Sequence, residues 1–175
     1  SGSPEYKYCS SSNTKSLYPT LFAVLTHSLI GDLSYLTEIE KFEISEYING
    51  FQRQDGLFWE ESFTKFNGVD QDWWGPRHLS LIAINALTVL GSRPSSRMKF
   101  LDQFVNEPTN LDWLGQKEEW RRFEIMNGDI DNKIWNIGGL LQYQSDILDC
   151  QNSERALSLL KDELRRRINT NTGLW

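Results

Sequence analysis

Asp72-Trp73-Trp74-Gly75-Pro76-Arg77-His78 gathers an acid, two indoles, a guanidinium and an imidazole into one short stretch. Imidazole is the side chain whose ordinary pKa lets it move protons near neutrality. Guanidinium offers a planar fork that suits carboxylate or phosphate, and indole faces bury apolar ligand surface. Together these types could bind and process a polar ligand, with His78 as acid or base and Arg77, Asp72, Trp73 and Trp74 as contacts. The plainer use is structural: the two tryptophans fill core and Arg77 pairs with Asp72 or Asp70. A second constellation is Asp129-Ile130-Asp131-Asn132, with Lys133 and Asn136 close behind. There Asp131 or Asn132 can cap a helix while Asp129 benefits from its dipole, or the same groups can meet a ligand. A third, Ser10 to Lys15, is polar, and its Asn13 and Lys15 stand close to the repeat equivalents of Asn132 and Lys133.

The segments that must position these residues are helical in pattern. Leu17 to Leu33 is apolar nearly all round, and Pro19 fits a first helical turn. His78 to Gly91 is apolar on all sides, as is Lys133 to Leu148, where Gly138-Gly139 suggests close helix packing. Between them lie one-faced patterns. Ile44, Tyr47, Ile48 and Phe51 recur at helical spacing within Ile39 to Gln52, with Glu40, Lys41, Glu43 and Glu46 on a solvated back. Met98, Leu101, Phe104 and Val105 mark a shorter helix over Arg97 to Val105, a further short one is expected around Gln116 to Phe123, and Ser153 to Ile168 is amphipathic. Buried segments thus alternate with half-exposed ones. Two concentric rings of helices produce that alternation, whereas a simple bundle gives every helix one wet face. The expected fold is all-α: about three helical hairpins of an incomplete α/α toroid, a single domain over residues 4–175 after an expression scar at 1–3, and a fragment of a larger ring. The three polar segments would then share one rim of the central cavity.

A repeat supports the hairpin plan. Gln52-x-x-x-Gly56-x-Phe58 and Asn169-x-x-x-Gly173-x-Trp175 stand 117 positions apart, each after a one-faced helix. Both resemble the QW motif of the terpenoid-cyclase and prenyltransferase-like toroids, Gln-x-x-x-Gly-x-Trp, although Phe58 and Asn169 depart from its letters. The resemblance implies that these residues are braces: the amide ties backbone ends and the aromatic packs beside it. Asp129-Ile130-Asp131-Asn132 is similar to the Asp-x-Asp-Asp of class II terpene cyclases, with Asn132 in place of the last Asp. That likeness implies a proton-donating Asp131, a role that needs burial or a like charge to hold its proton. The same superfold serves glycan hydrolases, epimerases and lyases, so the fold does not choose between chemistries.

Composition narrows the choice. The formal net charge is −6, which does not favour nucleic acid as a partner. The basic run Arg165-Arg166-Arg167 closes a helix, where cations suit the dipole. No apolar run approaches the ~20 residues of a membrane-spanning helix. Cys9 and Cys150 lack a metal or redox spacing and read as two thiols of a reducing, cytoplasmic compartment, with a disulfide between them as the alternative; no cofactor or metal is expected. His27 reads as a core histidine sooner than a catalyst, and Glu60 and Glu61 as a solvated loop pair, although such a pair could also supply a carboxylate to a glycan site. A terpene pocket would be walled by aromatic and aliphatic groups, whereas these rims are polar. The preferred expectation is a glycan- or sugar-acid-related enzyme, with Asp131, Asp129 and His78 as catalytic candidates. Arg77, Asp72, Trp73, Trp74, Asn13, Lys15, Asn132, Lys133 and Asn136 are its ligand contacts. An isoprenoid cyclase-like enzyme and a non-catalytic scaffold are the alternatives, and an incomplete ring would self-associate.

Overall fold

The computed structural model describes residues 6, 16–61, 75–115, 130–168 and 171. The chain divides into two compact units, Ser1–Lys99 and Phe100–Trp175. Among the described residues the secondary structure is helical, and the only extended pairing is one antiparallel bridge between Gln52 and Phe58.

Unit 1 contains α1 (Tyr18–Ile30), α2 (Glu38–Asn49) and α3 (Pro76–Val89), and both α1 and α2 pack on α3. Proline stands in the first turn of α1 and of α3, where its missing N–H costs nothing. Thr37 opens α2 with a full capping box: its hydroxyl accepts from Glu40 N while the Glu40 carboxylate accepts from Thr37 N. That interaction lowers the Glu40 pKa from its ordinary value. The backbone N–H of Gly31, in a left-handed conformation, closes α1 on the His27 and Ser28 carbonyls.

The most completely buried element is α3. His78 through Ile84 are all buried, as are Ala86 and Leu87, so the all-round apolar pattern is met by neighbours. On α2, Ile44 and Ile48 turn inward as the helical spacing predicts. Its outer face differs from the expected solvated back, since Ile39 and Phe42 stand exposed there beside Glu43 and Glu46. The pattern also over-reads α1. Leu17, Tyr18, Leu21 and Val24 are buried, but Leu29 and Ile30 face solvent. His27 is not a core histidine either: its ring is partly exposed and Nδ1 lies 2.7 Å from Asp32 Oδ1, just beyond the helix.

Unit 2 contains α4 (Asp102–Asn106), α5 (Ile130–Asp146) and α6 (Gln151–Arg167). The expected helix over Arg97 to Val105 is in fact a 3₁₀ turn, Lys99–Leu101, running into the short α4, with Met98, Leu101 and Phe104 buried as the spacing requires. α6 packs against both α5 and α4. Ile137, Leu140 and Leu141 of α5 and Ala156, Leu157 and Leu160 of α6 form the apolar seam. Gly138 is where the helices approach closely: a Cβ there would touch Leu160 Cδ2 at 3.6 Å. α5 is not buried on every side, because Trp135 is exposed. Arg167 closes α6 by binding Glu163 at 2.7 Å and the Gly115 carbonyl at 3.0 Å. The short helix expected around Gln116 to Phe123 lies outside the described residues.

Candidate functional site

In unit 1 the first turns of α1 and α3 meet. Tyr18 Oη lies 2.8 Å from His78 Nδ1, and the two rings are 5.6 Å apart at their centroids. Both residues are buried, His78 to 6% exposure. Burial disfavours the charged imidazolium and holds the His78 pKa below its ordinary value. A neutral ring protonated on Nε2 accepts at Nδ1 the hydrogen bond that the Tyr18 hydroxyl can donate. The pair therefore fixes the imidazole orientation.

A carboxylate joins them at the same end. Glu60 is only 5% exposed, so it does not form the solvated pair with Glu61 that the sequence suggests; Glu61 alone is exposed. Glu60 Oε2 accepts from Leu17 N at 2.8 Å and from Ser16 Oγ at 3.0 Å. Negative charge at a helix start is favoured by the dipole and by the unpaired N–H groups there. Tyr18 does not stand out in the sequence; Glu60 does so only as half of a glutamate pair that could supply a carboxylate to a glycan site. In the structure Phe58 and Glu60 are buried while Glu61 is exposed and Trp59 is partly so. That alternation is the mark of an extended segment with one face inward.

The brace that positions this segment is the amide of Gln52. Its Nε2 donates to the carbonyls of Gly56 and Ser96, each at 3.0 Å. Its Oε1 accepts from Ser96 N at 2.7 Å and Ser95 Oγ at 3.0 Å. Gly56 has φ of +89°, and a Cβ would come within 2.5 Å of Met98 Cα, so no other residue fits. Phe58 is fully buried, and its N–H donates to Ser80 Oγ of α3 at 2.9 Å. Gln52, Gly56 and Phe58 thus act as the structural tie expected of them. Gly173 and Trp175 lie outside the described residues, as do Asn13, Lys15, Asp72, Trp73, Trp74, Asp129 and Cys9.

Arg77, beside His78, is partly exposed in the first turn of α3. The remaining sequence candidates belong to α5 in unit 2. Asp131 is exposed in the first turn of α5. Asn132 and Lys133 are partly exposed, with Lys133 Nζ 5.9 Å from the Trp113 ring centre. Asn136 is completely buried. Unit 2 also has an open, polar cleft of about 550 Å³, lined by residues 106–110 with Asp112 and Arg155, and none of the sequence candidates lines it. Among the described residues no three His, Cys, Asp or Glu side chains are grouped to hold a metal ion. None of their helices is long and apolar enough to cross a membrane.

Compared with known proteins, the chain matches no family model, no curated protein and no solved structure.

Proposed function

We propose that this chain is a helical-hairpin protein, part of an α/α ring, whose polar helix-start end takes a ligand of the sugar or sugar-acid class. The observation that carries this reading is the buried Tyr18–His78 hydrogen bond, with Glu60 held on Leu17 N at the end where α1 and α3 both begin. Burying an imidazole, a phenol and a carboxylate costs stability unless each is well partnered. Apolar side chains would fill the same space without that cost. In this reading Tyr18 fixes the His78 ring, and His78, kept neutral by burial, exchanges hydrogen bonds or a proton with a hydroxyl. Arg77, one position earlier, supplies the fork that a sugar-acid carboxylate fits. The ring plan is supported by the side-by-side starts of α1 and α3 and by the Gln52 tie, which joins the turn after α2 to Ser95 and Ser96 beyond α3. The reading does not rest on Asp131.

A binding screen of neutral sugars and uronic acids, followed by protein-observed NMR, tests it. The expected outcome is a uronic acid or its oligomer binding with shifts near His78. Arg77→Ala should weaken that ligand at least about tenfold, about 1.4 kcal/mol, at an unchanged melting temperature. Absence of binding by every sugar and uronic acid at millimolar concentration overturns the proposal.

A further inference from the structure

Residues 29–42 of unit 1 carry the most exposed of the large apolar side chains among the described residues. Leu29, Ile30, Tyr35, Ile39 and Phe42 are between 64% and 88% exposed. Single exposed apolar residues are ordinary, but five in one short stretch mark an interaction surface. The local geometry holds them outward. Gly31 ends α1 directly after Leu29 and Ile30, a 3₁₀ turn over Leu33–Tyr35 packs against α1, and the Thr37 box fixes the start of α2. On α2, Ile39 and Phe42 share one face with Glu43 and Glu46, opposite the buried Ile44 and Ile48.

Charge decides what fits this surface. Glu38, Glu43 and Glu46 are exposed around Ile39 and Phe42. Between residues 29 and 49 the only Lys or Arg is Lys41, which is tied to Glu38 at 2.8 Å. We propose that this surface docks a basic amphipathic helix of another protein, whose apolar stripe covers Ile39 and Phe42 and whose Lys or Arg residues meet Glu43 and Glu46. A second copy of the chain would set the same glutamates against each other, and an anionic lipid surface would be repelled in the same way. The inference stands independently of the sugar-binding reading, since it uses none of the residues at the helix starts.

The test uses the whole chain and two designed helical peptides, one built of Leu and Lys and the other of Leu and Glu. The Leu/Lys peptide should bind, more weakly as salt rises, and the Leu/Glu peptide should not. Ile39→Ser combined with Phe42→Ser should weaken binding at least about tenfold without lowering the melting temperature, because both side chains are exposed. Glu43→Lys with Glu46→Lys should reverse the preference between the peptides. Equal binding of both peptides, or binding unchanged by these variants, overturns the proposal. So does a concentration-dependent dimer of the unaltered chain that Ile39→Ser/Phe42→Ser abolishes, which would identify a second copy as the occupant.

Discussion

In unit 1 the polar ties between elements reach far along the chain. Gln52 to Ser96 spans 44 positions, Leu17 to Glu60 spans 43, and Tyr18 to His78 spans 60. In unit 2 the long-range bond of Arg167 to the Gly115 carbonyl is only part-buried, at the end of α6. The buried tie there closes a helical hairpin over 9 positions, where the Ser153 hydroxyl donates to Gln144 Oε1 at 2.7 Å. Around it the α5–α6 seam is apolar and adjacent in sequence. The two units illustrate different ways of holding helices together. A local hairpin closes a short loop and spreads its stability over many dispersion contacts. A long-range polar junction concentrates its stability in a few groups, each serving several bonds. Single substitutions in unit 1 should therefore cost more than comparable ones in unit 2.

The largest effect is expected from Gly56→Ala. Left-handed φ and the collision with the Met98 backbone act together, and relief requires the chain at 96–98 to move away from Gln52. A loss of about 3 kcal/mol or more is expected, read as a lower urea midpoint. Next is Gln52→Ala, which removes four hydrogen bonds at once and leaves Ser96 N and the Gly56 carbonyl to find other partners. About 2 kcal/mol should be lost. Ser153→Ala, its counterpart in unit 2, gives up the bond to Gln144 and the weak one to Cys150 Sγ, and should lose about 1 kcal/mol. A reversed order, with Ser153→Ala the more damaging of the two, would break the comparison.

His78 adds a pH dependence specific to unit 1. Its folded pKa lies below the ordinary value of 6.5, because burial opposes its charge. Above the ordinary value both folded and unfolded forms are neutral, and the folded state keeps its full stability. As pH falls below it, the unfolded chain takes up the proton first. Stability is then lost progressively down to the lowered folded value. Urea midpoints measured from pH 8 to pH 5 should fall on the acid side, and His78→Gln should flatten that part of the curve. An acid-side fall that persists unchanged in His78→Gln would assign the effect to other groups.

How far the sequence reveals these features depends on whether the signal is local. α3 is legible because its apolar residues leave no solvated stripe beyond Asn85 and Thr88, and burial follows except at Val89, exposed beside those two. The Gln52 tie is legible because the amide, the glycine and the aromatic lie within seven residues and bond to one another's backbone. The exposed end of α1 is not, since apolar composition states what a face could bury and not whether a neighbour reaches it. Ile39 and Phe42 are missed for a related reason: the inward stripe through Ile44 and Ile48 is complete without them. Tyr18 and His78 lie on helices far apart in the chain, and no periodicity in one sequence pairs them. Glu60 is hidden because a glutamate pair in a loop is ordinarily solvated, whereas here the N–H groups at the start of α1 draw one of the two inward.

The smallest expected effect sharpens the contrast from the other side. Gly138 occupies the interior of α5 at its approach to α6, the kind of position where glycine is often taken to be indispensable. Its added Cβ would meet Leu160 Cδ2 at 3.6 Å, an ordinary van der Waals distance, with no backbone atom in the way. Helical alanine is favoured over glycine by about 0.5–1 kcal/mol because the unfolded chain has less freedom to lose. Gly138→Ala should therefore raise the urea midpoint slightly, by about 0.5 kcal/mol of stability. The same substitution at Gly56 would be the most damaging in the molecule. The two glycines differ in what stands opposite them: a flexible leucine methyl across an apolar seam, or the main chain of a junction held by Gln52. If Gly138→Ala instead destabilises by as much as Gly56→Ala, the α5–α6 seam is as unforgiving as the polar junction, and the distinction between the two units fails.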